Sequence, residues 1–174
     1  EAIATEAYWL EQFKNSTPVL DFPTDRPRPP LRTFNSDRED WGIKPELVNS
    51  LKQLGTKMGC SFMTVLLASF EVYLYRLTGQ ENLAVGVPAA GQAASGQYNL
   101  VGHCVNLLPI PSRVEGQQLF SDYLKTRKST VLDAYDHQQF TFGSLIQKLS
   151  LVRDSSRIPL VPIIFNIDQG LDIS

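Results

Sequence analysis

The sequence predicts an α/β fold: a two-layer sandwich in which a mixed β-sheet is covered by helices. Two observations carry this. Stretches with apolar residues at helical spacing alternate along the chain with short β-rich runs. Among those runs, Leu83, Val85 and Val87 alternate, whereas Val161–Ile167 is uniformly apolar, as in a strand covered on both faces. No internal repeat interrupts the alternation, and the 174 residues suffice for one core, burying about 70% of the unfolded surface.

In chain order, Ala4–Lys14 carries Ala7, Tyr8, Leu10 and Phe13 on one face of a short amphipathic helix. Phe22–Pro30 follows, with four prolines in its last eight residues; lacking amide donors and forcing extended neighbours, it is a connector. Residues 1–30 are thus an N-terminal helix and linker. Leu31–Trp41 is expected to hold a strand. A helix then starts with Pro45 in its first turn, faces inward with Leu47, Val48, Leu51, Leu54 and Met58, and ends at Gly59. Ser61 caps the next helix, which runs to about Leu77 and is apolar nearly all round. After the strand at Leu83–Val87, the small residues of Ala89–Asn99 read as a mobile loop. A second strand lies around Cys104–Ile110, although Pro162 moves the start of the last one late or to an edge. Gly116–Tyr135 is a long helix with Leu119, Phe120, Tyr123, Leu124, Val131, Leu132 and Tyr135 inward. Thr141 caps a short helix burying Phe142, Leu145, Ile146 and Leu149.

Composition narrows the function classes. A net charge of −2 offers no electrostatic footprint for nucleic acid or an anionic membrane. No run of about 18 apolar residues is present, and the N-terminus lacks a secretion signal's basic start and apolar core. Cys60 and Cys104 are too few for a disulfide framework, and the expected location is cytoplasmic, so the sequon at Asn15-Ser16-Thr17 carries little weight. His103 and Cys104 are neighbours on one strand and point to opposite faces, so they share no metal, and none is expected. Neither a Gly-x-Ser-x-Gly elbow nor a phosphate-cradling glycine loop occurs. Read alone, His103 is a structural or channel-lining residue rather than a catalytic one, and His137 a surface or capping residue.

Three segments in order are more specific: Val101–Pro109 (Val-Gly-His-Cys-Val-Asn-Leu-Leu-Pro), His137–Phe142 (His-Gln-Gln-Phe-Thr-Phe) and Arg153–Leu160 (Arg-Asp-Ser-Ser-Arg-Ile-Pro-Leu). Together they resemble the last three core motifs of condensation domains, the peptide-bond-forming domains of nonribosomal peptide synthetases. The final segment matches the pattern Arg-Asp-x-Ser-Arg-x-Pro-Leu at each specified position. The connector resembles the family's Pro-Thr-Asp-Arg-Pro-Arg-Pro stretch. The family's paired-histidine signature is absent from the sequence. The resemblance therefore implies that residues 31–174 are the C-terminal lobe of such a domain, one incomplete lobe of the chloramphenicol acetyltransferase-like fold, with no catalytic residue of its own. Heterocyclisation and epimerisation domains share the architecture.

The same resemblance implies a substrate tunnel touched by His103, Asn106 and Leu107. The Asn106 amide either meets substrate or the tetrahedral oxyanion, or holds neighbouring backbone. Cys104 and Leu107 depart from the usual Phe and Thr. Of the middle motif, His137, Gln138 and Phe142 match, while Gln139, Thr141 and Gly143 replace Asp, Pro and Glu. Arg153, Asp154, Ser156 and Arg157, ahead of Pro159, are expected to pin a loop as a polar network, so that losing Arg157 costs stability first. Implied partners are the N-terminal lobe of the same domain, acyl or peptidyl carrier proteins and an adjacent adenylation domain. No cofactor is held directly; phosphopantetheine arms arrive on the carriers. A truncated lobe is also expected to leave apolar surface open to self-association. The alternative is a non-catalytic module that docks carrier proteins.

Overall fold

The computed structural model describes residues 2–91, 96, 99, 101–102, 104–152 and 154–168. Its elements are α1 (Ala2–Phe13), α2 (Pro45–Met58), α3 (Phe62–Thr78), β1 (Asn82–Ala90), β2 (Val105–Arg113), α4 (Phe120–Asp136) and α5 (Phe142–Leu149). The punctuation follows local chemistry. Pro45 opens α2, where its missing N–H costs nothing. Gly59 closes it at φ 62°, a left-handed conformation only glycine adopts freely. Ser61 and Thr141 cap α3 and α5 by accepting the amides of Thr64 and Ser144.

β1 and β2 pair antiparallel, with Val85 opposite Ile110 and Val87 opposite Leu108. The α3 and α4 helices pack against this sheet, α2 lies on both, and α5 joins α1 to β2. The core collects Val65, Leu67, Leu74, Leu83, Val85, Leu108, Ile110 and Leu124, and reaches into the N-terminal stretch through Trp9, Phe13 and Leu20. Burial in β1 does not alternate: Leu83 through Val87 are all buried, so both faces are covered.

The two outer strands read from the sequence are not formed. Leu31–Trp41 is irregular and exposed, tied to the body by the Arg32 amide, which donates to the Ser155 carbonyl at 2.9 Å. Among the described residues no neighbouring strand lies beside it, and an extended segment without a ladder partner is not a strand. Val161–Ile167 makes one parallel bridge: Gly86 donates to Ile163 and accepts from Phe165 at 2.9 and 2.8 Å. The next rung needs an amide from Pro88, which has none, so the ladder stops. Of this run only Val161 is fully buried. Gly86 is the point of closest approach; a Cβ there would sit 3.0 Å from Leu107 Cδ1 and 3.3 Å from Val161 Cγ2.

The far edge of β2 is closed too. Gly86 faces Ile163, so its opposite number Pro109, and Pro111 two residues on, face outward without donors. The Leu107 amide is taken by Asn106 Oδ1 and the Pro111 carbonyl by Arg127. Three side chains expected inside lie outside: Leu47, Leu119 and Leu132 are each more than half exposed. Leu119 precedes α4, which starts at Phe120 rather than Gly116, and the other two sit on helix flanks that no neighbour covers.

Beneath the sheet lies a charged network that the apolar pattern hides. Glu71 is fully buried in α3 and receives Arg127 Nη2 and Tyr123 Oη from α4, each at 2.7 Å. Arg127 Nη1 adds the bond to Pro111, joining α3, α4 and β2. Burial pushes the Glu71 carboxyl up, against the opposing pull of Arg127, and pushes the Tyr123 phenol far above its ordinary range.

Candidate functional site

The first two sequence motifs meet in space. The start of β2 and the turn between α4 and α5 enclose an open cleft of about 550 Å³, lined by Cys104, Asn106, Leu107, Gln138, Gln139 and Phe142, among others. None of its described lining residues is charged. Such a wall can bind and orient a neutral amide or thioester, and its described lining brings no carboxylate, ammonium or imidazole to the bound group.

Asn106 is the clamp of this cleft. Its Nδ2 donates to the carbonyls of Gln138 and Phe140 at 2.8 and 2.9 Å, and its Oδ1 accepts the amides of Leu107 and Phe142 at 2.9 and 3.1 Å. Two carbonyls on one side and two amides on the other fix which end of the amide is nitrogen. Both donors and both lone pairs are then used. Of the two readings open at the sequence level, this geometry favours the one in which Asn106 holds neighbouring backbone. Leu107 lines the cleft beside it, half-buried against Gly86. His103 lies outside the described residues, as does most of the Ala89–Asn99 segment read as a mobile loop.

His137 is turned away from the cleft. It caps α4, its amide and Nδ1 both on the Asp133 carbonyl, with its ring stacked on Tyr8 at 4.0 Å between centroids. Gln138 presents its carbonyl to Asn106 and spends its side-chain amide on Tyr135. Phe142 begins α5 with its amide on Asn106 and its ring in the cleft wall.

The third motif forms a separate site. Arg153 lies outside the described residues. Asp154 Oδ1 accepts the Ser156 hydroxyl at 2.6 Å and the Ser156 amide at 2.9 Å, and these bonds hold its carboxyl below the usual carboxylate range. Arg157 Nε pairs with Asp154 Oδ2 at 2.8 Å; its N–H direction misses the oxygen, so the contact is coulombic rather than a directed hydrogen bond. This turn grips the connector: Ser155 Oγ donates to Pro30 and Arg157 Nη1 reaches the Leu20 carbonyl. Pro159 leads into Leu160, which is left-handed at φ 65° yet buried, with the Val161 amide on the Pro159 carbonyl.

The sequence reading passed over Cys104 and Gln139 as cleft-lining residues, and over the Glu71–Arg127 pair. Glu71 had a visible signal, as the one charge in the predominantly apolar run from Phe62 to Tyr75. Cys104 and Gln139 stand inside the first two motifs, but only the folded turn brings them to one cleft. Among the described residues, no group of three His, Cys, Asp or Glu side chains is placed to hold a metal ion, and no single helix is long and apolar enough to cross a membrane.

The family model described as Condensation domain matches residues 2–172. The chain is 38% identical over 160 residues to gramicidin S synthase 2 of Brevibacillus brevis, covering 92% of this chain and 4% of that protein. It is 36% identical over 176 aligned positions to tyrocidine synthase 3 of Brevibacillus parabrevis, covering 98% and 3%. The chain thus spans less than a tenth of the length of the curated relatives it matches. Its fold is similar to a four-domain nonribosomal peptide synthetase bound to AMP and glycine, with a TM-score of 0.91 and 21% identity over 97% of this chain and 13% of that one. The first condensation domain of the CDA synthetase superposes with a TM-score of 0.70 and 22% identity, covering 97% of this chain and 35% of that one.

Proposed function

Because the chain belongs to the condensation-domain family, we propose that it forms one wall of the chamber in which two carrier-bound thioesters are joined by an amide bond. The amine nitrogen of an aminoacyl thioester attacks the carbonyl of an acyl or peptidyl thioester. The C–N bond forms, the C–S bond breaks, the donor thiol leaves, and the amine gives up one proton. Both substrates arrive on phosphopantetheine arms of carrier proteins, within an assembly that also holds an adenylation domain.

The observation that carries this reading is the uncharged cleft built from the first two motifs. Neutral walls suit a thioester and an amine that must stay unprotonated to attack. Holding both ends in line supplies much of the acceleration such a reaction needs. We assign the proton to the family's paired histidines, a signature that does not occur in these 174 residues; among the described residues, His137 is engaged on Tyr8 and Asp133. The third motif braces the connector and takes no part in the chemistry.

The test uses carrier proteins loaded with acyl and aminoacyl groups and follows the product by mass spectrometry. The synthetase containing this chain is expected to form the amide, and this chain alone to form none. Turnover by the isolated chain, or an undiminished rate from a synthetase lacking residues 2–168, would overturn the proposal.

A further inference from the structure

The turn that forms one wall of the cleft is held from both sides. From the sheet side Asn106 grips the Gln138 and Phe140 carbonyls. From the opposite side α1 grips the preceding residue. Trp9 Nε1 donates to the His137 carbonyl at 2.9 Å across 128 residues of sequence, and the Tyr8 ring lies flat on the imidazole, 9° from parallel. Trp9 is 1% exposed, so its indole has one position in which to make that bond. Tyr8 is locked between Trp9, edge-on at 5.1 Å, and His137. A second tie runs from Glu6 of α1 to Lys148 of α5, the helix that begins where the turn ends. Burial pushes the pKa of the Tyr8 hydroxyl up to about 12.

We propose that α1 is a latch, with Tyr8 and Trp9 as positioning residues that press the 137–141 turn against β2 and thereby set the width of the cleft. Neither residue lines the cleft. They act through His137, whose carbonyl and ring carry the position of Gln138 and Gln139 one and two residues on. A helix distant in sequence thus decides how closely the two cleft walls approach. This rests on the functional reading above for its effect on amide formation, but not for its effect on the cleft itself.

The Cys104 thiol, which lines the cleft, reports its width without any turnover. Alkylation of Cys104 in this chain, resolved from Cys60 by peptide mass spectrometry, is measured beside amide formation by the synthetase that contains it. Trp9→Phe keeps a buried ring and removes the hydrogen bond. It is expected to speed Cys104 alkylation roughly threefold or more through local opening, and to slow amide formation about tenfold, the equivalent of one net hydrogen bond. Tyr8→Ala is expected to do the same, and Tyr8→Phe, which keeps the stack, to restore both. Phe13→Leu thins the core beneath the far end of α1 while keeping the Tyr8 and Trp9 contacts to His137, and serves as the control for lost stability. At a matched fall in melting temperature it should leave Cys104 as slow to react as in the unaltered chain. Equal changes from Trp9→Phe and Phe13→Leu, or no change from Trp9→Phe and Tyr8→Ala, would overturn the latch. Absence of amide formation by the unaltered synthetase, with the Cys104 effects intact, would instead remove the functional reading and leave the latch standing.

Discussion

Two side-chain hubs tie this fold together, and they are built from opposite materials. Below the sheet, Glu71 and Arg127 are an ion pair buried to 0% and 2% exposure, joined by Tyr123 and by the Pro111 carbonyl. At the cleft, Asn106 links β2 to the α4–α5 turn and to the start of α5 through three uncharged hydrogen bonds, with a fourth from the Leu107 amide beside it. Each fastens three pieces of chain. The charged hub is buried between α3, α4 and β2 and is satisfied by partners from all three. The neutral hub sits in the wall of the cleft, where, on the proposed function, a fixed negative charge would hold an amine in its protonated, unreactive form. Position, rather than strength, decides which chemistry each hub uses.

Cutting the charged hub should have the largest effect. Arg127→Met strands the Glu71 carboxylate and is expected to cost about 3–5 kcal/mol in denaturant unfolding. Pairing it with Glu71→Leu should recover part of that loss, because an apolar pair leaves no unpaired charge; a strictly additive double variant would show the two are uncoupled. The neutral hub comes next. Asn106→Ala unpairs two carbonyls and two amides, some of which water can reach at the cleft, for an expected loss of about 2–3 kcal/mol. Unlike Arg127→Met, it should also alter Cys104 reactivity, since its partners form the cleft wall.

A third substitution probes the tight packing of β1 beside the neutral hub. Gly86→Ala places a methyl against Leu107 and Val161 and should cost about 1–3 kcal/mol by overpacking, read as a lowered melting temperature. The smallest effect is expected at the third motif. The two bonds from Ser156 depress the folded-state pKa of Asp154 below its unfolded value. Its contribution is therefore complete above the ordinary carboxylate range and is lost as pH falls through the depressed value. Asp154→Asn should lower the neutral plateau by this small contribution and flatten that acid limb of the stability profile, leaving stability at the acid end nearly unchanged.

Much of this was open to inspection in the linear chain. Ser61, Thr141, Pro45 and Gly59 mark helix ends because capping depends on residues three or four apart, and each stands at the boundary it announces. The motif order identified the family for a similar reason, since residue identity at fixed spacing survives without coordinates. The failures share a cause as well. Val161–Ile167 has strand composition, and Leu31–Trp41 opens with Leu31, Thr33 and Phe34 before turning polar, but a strand exists only through its neighbour, and Pro88, 77 residues before Phe165, decides where the second ladder stops. Asn106 was picked out by its motif, yet its work was ambiguous until four backbone partners, three of them more than 30 residues away, surrounded it. Local sequence thus determined the helices, their caps and the family. Which polar side chains became hubs, which faces were covered and where the cleft opened depended on contacts between distant residues, which only the folded chain brings within hydrogen-bonding reach.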